Sequence, residues 1–221
     1  MSMRNIKDEY RKYVISYFII YIVVNIVIVF INLNIIQENW LEIIKNNEFI
    51  IKPIYSIIFI PLVMILALIV MNFFPSKIKD VLIFWKIKNA LPGYRWQSDI
   101  AIKDSKLNLQ KLNKKYENNL SPKEQQNIWY EAYQKCKGDE AILESQKNYL
   151  FARDLCTTTV LILPVIFVIY ILGKIFFNLP FSFFIINLMV LIVFYLLLVY
   201  VTRNCANRFV CNVLSIDSTK D

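Results

Sequence analysis

Two charges stand side by side where charge is expensive. Arg153 and Asp154 close the run YLFARD, and the apolar stretch Leu155–Leu172 begins at the next residue. Arg203 stands in the same way directly after a second apolar stretch, Pro180–Thr202. A charge at the edge of hydrocarbon must find a counter-charge, a lipid phosphate or water. If the two stretches are antiparallel helices joined by the short segment between them, residues 153–155 and 202–203 meet at one level. Asp154 is then expected to pair with Arg203, and Arg153 to reach phosphate headgroups. Such a pair serves either as a structural lock or as a switch that passes movement of the preceding helix into the apolar segment.

A second set is polar without charge. Asn25 and Asn32 are seven residues apart in one apolar run, which puts them two turns apart on one helical face. Asn187 stands midway along another run. An unpaired amide in hydrocarbon is costly, so each either bonds a neighbouring helix or lines a polar path.

A third set is aromatic and basic: Arg95, Trp96, Trp129, Tyr130 and Tyr133. With nearby lysines these suit a cytoplasmic ligand or partner surface, on which rings stack against a nucleotide messenger. The same types also build a bundle core or a membrane-interface belt.

Catalysis finds no support. The chain has no His, so the commonest general base is missing. No HExxH, GxSxG, P-loop or GxGxxG pattern occurs. The carboxylates Asp99 and Asp104, in the polar segment after Arg95, and Glu117, Glu124 and Glu131, on expected helices, are expected to be solvated. The four cysteines, Cys136, Cys156, Cys205 and Cys211, have no CxxC spacing and read as packing thiols rather than zinc ligands. No enzyme activity, cofactor or metal is expected.

The elements that must position these residues follow from hydropathy. A membrane span needs about 20 mostly apolar residues. Tyr13–Leu33, Pro53–Phe74, Leu155–Leu172 and Pro180–Thr202 each qualify, and none contains Asp, Glu, Lys or Arg. Of the 25 Lys and Arg, 22 fall in the two termini and the segment 77–153; Lys45, Lys52 and Lys174 are the others. Basic residues stay on the cytoplasmic side. Both termini and the middle segment are therefore expected in the cytoplasm of a bacterial inner membrane, and the net charge of +8 is mostly this signal. The expected fold class is all-α: a polytopic membrane protein with four transmembrane helices and a helical cytoplasmic module between the second and third. Its parts are an N-terminal hairpin (1–75), the module (76–153), and a C-terminal hairpin with a cytoplasmic tail (154–221).

Within these parts the periodicity is helical. Trp40, Leu41 and Ile44 share a face in the first outer loop, as in an interfacial amphipathic helix. Ile78, Leu82 and Trp85 make a stripe on a helix expected to run to Pro92–Gly93, with Lys77, Lys79, Lys86 and Lys88 near lipid headgroups. Leu109, Leu112 and Tyr116 share a face. Ser121, Pro122 and Glu124 spell a capping box with Pro at the first helical position. Gly138 ends the helix so opened, and Asp139 caps one that runs unbroken into the third span. The spacing of Ala206, Val210 and Leu214 extends the fourth helix beyond the membrane.

The segments LPGYR (91–95), SPKEQQNIWYEAY (121–133), YLFARD (149–154) and RNCANRFVCNVL (203–214) resemble a group of bacterial four-span inner-membrane proteins with no assigned activity. The plan is also similar to that of membrane effectors of bacterial antiphage defence systems, which implies an oligomer that permeabilises the membrane when a partner or messenger acts on its cytosolic part. The functional expectation is thus an oligomeric effector or channel-like protein gated by its cytoplasmic module. The alternative is a non-conducting anchor or scaffold for a cytosolic partner protein. The expected partners are membrane lipid, further copies of the chain, and a cytosolic protein or nucleotide messenger, with no direct nucleic-acid binding.

Overall fold

The computed structural model describes residues 12–17, 19–20, 23, 73–104, 107, 109–177 and 181–219. Among them there is no strand, and every element is helical. Most of the expected spans 13–33 and 53–74, the Trp40–Ile44 helix, and Asn25 and Asn32 lie outside the described residues. Among the described residues, two helices are long and apolar enough to cross a membrane.

The described chain forms α1 (Ser76–Phe84), a 3-10 turn (Pro92–Arg95), a π turn (Trp96–Ile100), α2 (Ala101–Lys103), α3 (Leu109–Lys115), α4 (Pro122–Cys136), α5 (Glu140–Phe177) and α6 (Phe181–Asp217). Local sequence explains several boundaries. At the start of α4, the Glu124 amide donates to Ser121 Oγ at 3.4 Å, and the Ser121 amide donates to Glu124 Oε2 at 2.7 Å. The two orphan donors are thus satisfied reciprocally. Asp139 Oδ1 accepts from the Ala141 amide at 3.1 Å, capping α5. Helix α5 then continues for 38 residues and α6 for 37, each about 55 Å long. Pro164 sits inside α5.

Two compact units emerge, and both long helices contribute to each. The first comprises Met1–Lys7, Pro75–Cys156 and Leu197–Asp221; the second comprises Asp8–Phe74 and Thr157–Leu196. In the first unit Val210, Cys211 and Leu214 of α6 complete a core with Trp96, Ile100 and Leu112.

In the second unit Ile162, Ile166 and Leu191 form a small core with Tyr17 and Phe184 against it. The Tyr17 hydroxyl and Thr159 Oγ1 share a hydrogen bond of 3.1 Å, and the Tyr17 ring stacks on Phe194. Leu163, Phe167 and Ile171 of α5 are exposed, and exposed large apolar residues recur on α6 from Phe181 to Val201. Twenty residue steps of helix span about 30 Å, the thickness of a bilayer's hydrocarbon core.

Candidate functional site

One cluster of polar residues in the first unit gathers where α1 meets α5 and α6. Lys79 and Asp154 are each only 7% exposed. Lys79 Nζ donates to Asp154 Oδ1 at 2.9 Å, and Arg153 Nε lies 3.3 Å from the same oxygen. One turn back along α5, the Tyr149 hydroxyl donates to Asp80 Oδ1 at 3.4 Å, and the Arg153 guanidinium lies 5.9 Å from the Tyr149 ring centroid. Burial holds the Asp80 carboxyl above its ordinary range; Arg153, the Tyr149 hydroxyl and Lys79 pull it back without cancelling the shift.

Arg203 has a different role from the one expected. Its Nε donates to the Ile83 carbonyl at 2.8 Å, and its guanidinium lies 4.4 Å from the Trp85 ring centroid. Asp154 is instead paired with Lys79 and Arg153. The physical reason lies at the end of α1. The last carbonyls of a helix lack intrahelical donors, and the helix dipole favours a cation there. Arg203 supplies both donor and charge. Arg153 is likewise turned to Asp154 and Tyr149.

The same contact corrects the expected course of α1. The helix stops at Phe84, not at Pro92–Gly93. Trp85 takes the left-handed conformation, φ 53°, and its amide closes on the Val81 carbonyl at 2.8 Å. That conformation is unfavourable for a bulky residue. Stacking of the Trp85 ring on Arg203 offsets the cost. On α1, Lys79 and Ile83 point inward, so Lys79 is not among the lysines free to meet headgroups as expected, while Ile78 and Trp85 of the expected stripe are exposed.

The aromatic and basic set divides between core and surface. Trp96 is 1% exposed, and its Nε1 donates to the Gln125 carbonyl at 2.8 Å. Trp129 stacks on Tyr133, and Phe209 of α6 meets both rings edge-on. Tyr133 is buried, with its hydroxyl donating to Gln146 Oε1 at 3.2 Å. Arg95 is half-buried beside Asp99, at 3.6 Å. Only Tyr130 is exposed. Phe209 also stacks on Tyr149, with ring centroids 6.3 Å apart. Packed rings therefore run from Tyr130, through Tyr133, Phe209 and Tyr149, to the Asp80–Arg153–Asp154–Lys79 cluster.

Sequence reasoning missed Lys79, Asp80, Trp85, Tyr149 and Phe209 as members of this site. The spacing of Lys79 and Ile83, one turn apart, was the available signal. Asn187, in the second unit, is buried and not without a partner. Among the described residues no cluster of three His, Cys, Asp or Glu is placed to hold a metal.

Compared with protein-family models, curated proteins and solved structures, the chain matches none. The arrangement itself is a helical module built on two long helices, with buried charges where a short helix clamps onto them.

Proposed function

We propose that this is a multi-pass membrane protein whose cytoplasmic helical module governs its membrane helices: an oligomeric inner-membrane effector or channel-like protein. One observation carries the reading. Helices α5 and α6 each supply residues to both compact units, so the rods that form the core of the module are the rods that present the exposed apolar band. A flexible tether would suffice to hold a domain at a membrane; shared, unbroken helices couple the two. The line of packed rings from Tyr130 to the Lys79–Asp154 pair gives a cytosolic protein or nucleotide messenger a route to the foot of the band.

A few apolar helices in one subunit close on a packed core. A conducting path therefore requires several copies around an axis, with the Asn25 and Asn32 face of the first apolar run toward it. The antiphage setting rests on similarity of plan alone. The alternative is a non-conducting anchor, for which buried Asn187 would serve as interhelical glue rather than as the lining of a path.

The test compares wild type with Asn25→Leu at equal expression and equal oligomer mass in detergent. Dye entry into cells and current across planar bilayers are expected for wild type and sharply reduced for the variant. A wild-type protein that carries no current and admits no dye, even with a co-expressed cytosolic partner, would make the anchor the better reading.

A further inference from the structure

Helix α1 buries Lys79, Ile83 and Phe84 and exposes Lys77 and Ile78, and the turn after it exposes Trp85 and Ile87. Lys79 is consumed by Asp154, while Ile78, Trp85 and Ile87 are 44%, 58% and 89% exposed. Around them Lys77, Lys86 and Lys88 are exposed. The acidic residue that feels Lys86 is Asp99, whose direct partners are Lys103 and Arg95. Asp80, on the same helix, faces Tyr149 and Arg153 instead. The outward face is thus apolar and basic together.

Its level along α6 is set by Arg203, which lies two residues beyond Val201, the last exposed apolar residue of the band. The guanidinium holds the Trp85 ring, and its Nε holds the end of α1. Trp85 is therefore kept at the point where the apolar band gives way to charge. Tryptophan concentrates at this depth in a bilayer because its ring is apolar and its N–H is polar. Lysine concentrates just outside it, because the cytoplasmic leaflet is anionic. A second protein would also cover an apolar face, but nothing about a protein partner requires the face to sit at this level.

We propose that α1 and the turn after it form a docking element for the anionic phospholipid leaflet, with Ile78, Trp85 and Ile87 entering the interface and Lys77, Lys86 and Lys88 meeting headgroup phosphates. This deepens the membrane reading above and rests on it. Lipid charge then acts on the helix that carries Lys79, so leaflet composition bears directly on the buried Lys79–Asp154 pair.

The experiment reconstitutes the full chain in phosphatidylcholine vesicles with and without phosphatidylglycerol, using lipids brominated near the headgroup. The Trp85 signal is the difference between wild type and Trp85→Phe. Resistance to alkaline extraction is measured on the same samples. Stronger quenching of Trp85 in the anionic vesicles is expected. Removing two exposed charges with Lys86→Gln and Lys88→Gln should shift the docked-to-free ratio by roughly 30-fold toward free, in anionic vesicles alone. Trp85 that is unquenched, or quenched equally with and without anionic lipid in both proteins, overturns the docking element while extraction resistance leaves the membrane reading standing. A protein released by alkaline extraction overturns both.

Discussion

Helix α6 presents opposite faces along its length. From Phe181 to Val201 its large apolar residues are mostly exposed; from Thr202 onward Ala206, Phe209, Val210 and Leu214 are buried, while Asn204 and Arg208 are exposed. The first half would be insoluble in water, and the second is an ordinary amphipathic helix of a packed domain. The inversion occurs within two residues, between Val201 and Arg203. The polar groups that attend it come from α1 and α5 as well as α6. A helix crossing from lipid into a folded module needs partners for its charges at that step, and α1 supplies them: a carbonyl and a ring for Arg203, and an ammonium for Asp154. The comparison predicts that the two halves tolerate opposite substitutions.

The largest effect is expected at the step itself. Lys79→Met leaves Asp154 buried with less compensation, which should cost about 3 kcal/mol. The double variant Lys79→Met/Asp154→Leu should recover most of the loss, because two apolar side chains replace a buried pair at little net cost. Thermal unfolding in detergent, analysed as a double-mutant cycle, measures the coupling. The same cycle on Asp154 and Arg203 should show much weaker coupling. Equal coupling in both cycles would contradict the assignment of Lys79 as the partner.

Next in size is a charge on the exposed band. Val193→Arg would be nearly neutral at a water-facing position. In hydrocarbon an arginine near the helix centre disfavours insertion by about 2.5 kcal/mol or more. The fraction of chain resisting alkaline extraction should fall in Val193→Arg, and remain unchanged in the module control Glu131→Arg. If both variants extract alike, the exposed apolar residues are not facing lipid, and the contrast between the halves of α6 has another origin.

How much of this was legible depends on the range of the cause. The capping box at Ser121–Glu124, the Asp139 cap and the continuation of α5 through Leu155 are local, and all are present as read. The buried positions Ala206, Val210 and Leu214 follow from spacing on one helix. On α1 the exposed positions Ile78 and Trp85 agree with the expected stripe, whereas the burial of Lys79 was missed because its counter-charge, Asp154, stands 75 residues away in the chain. The early end of α1 at Trp85 was illegible for a similar reason: Arg203, far along the chain, satisfies its last turn. In the aromatic set, Trp129 and Tyr133 are one turn apart and turn inward together, whereas Tyr130, about 60° farther round α4 from Tyr133, is exposed while its ring still meets that of Tyr133.

The smallest effect is expected at Asp80, where the sign matters more than the size. Its carboxyl is held above the ordinary value of 3.8 mainly by burial. The folded protein therefore favours the protonated form more than the unfolded chain does. The stability this contributes is complete below the unfolded value and is lost as pH rises through the folded one. At neutral pH Asp80 is a net burden, in contrast to Asp154, whose removal should destabilise. Asp80→Asn keeps the shape and a hydrogen-bond acceptor for the Tyr149 hydroxyl while removing the charge. Its melting temperature should equal or exceed that of wild type near pH 7, and the advantage should disappear as pH falls toward the ordinary carboxylate range. A variant that melts lower than wild type at neutral pH would mean that the Asp80 charge is used, through Arg153 and Lys79, to hold α1 against α5. Asp80 and Asp154 would then form one cooperative cluster rather than a buried pair beside a tolerated charge.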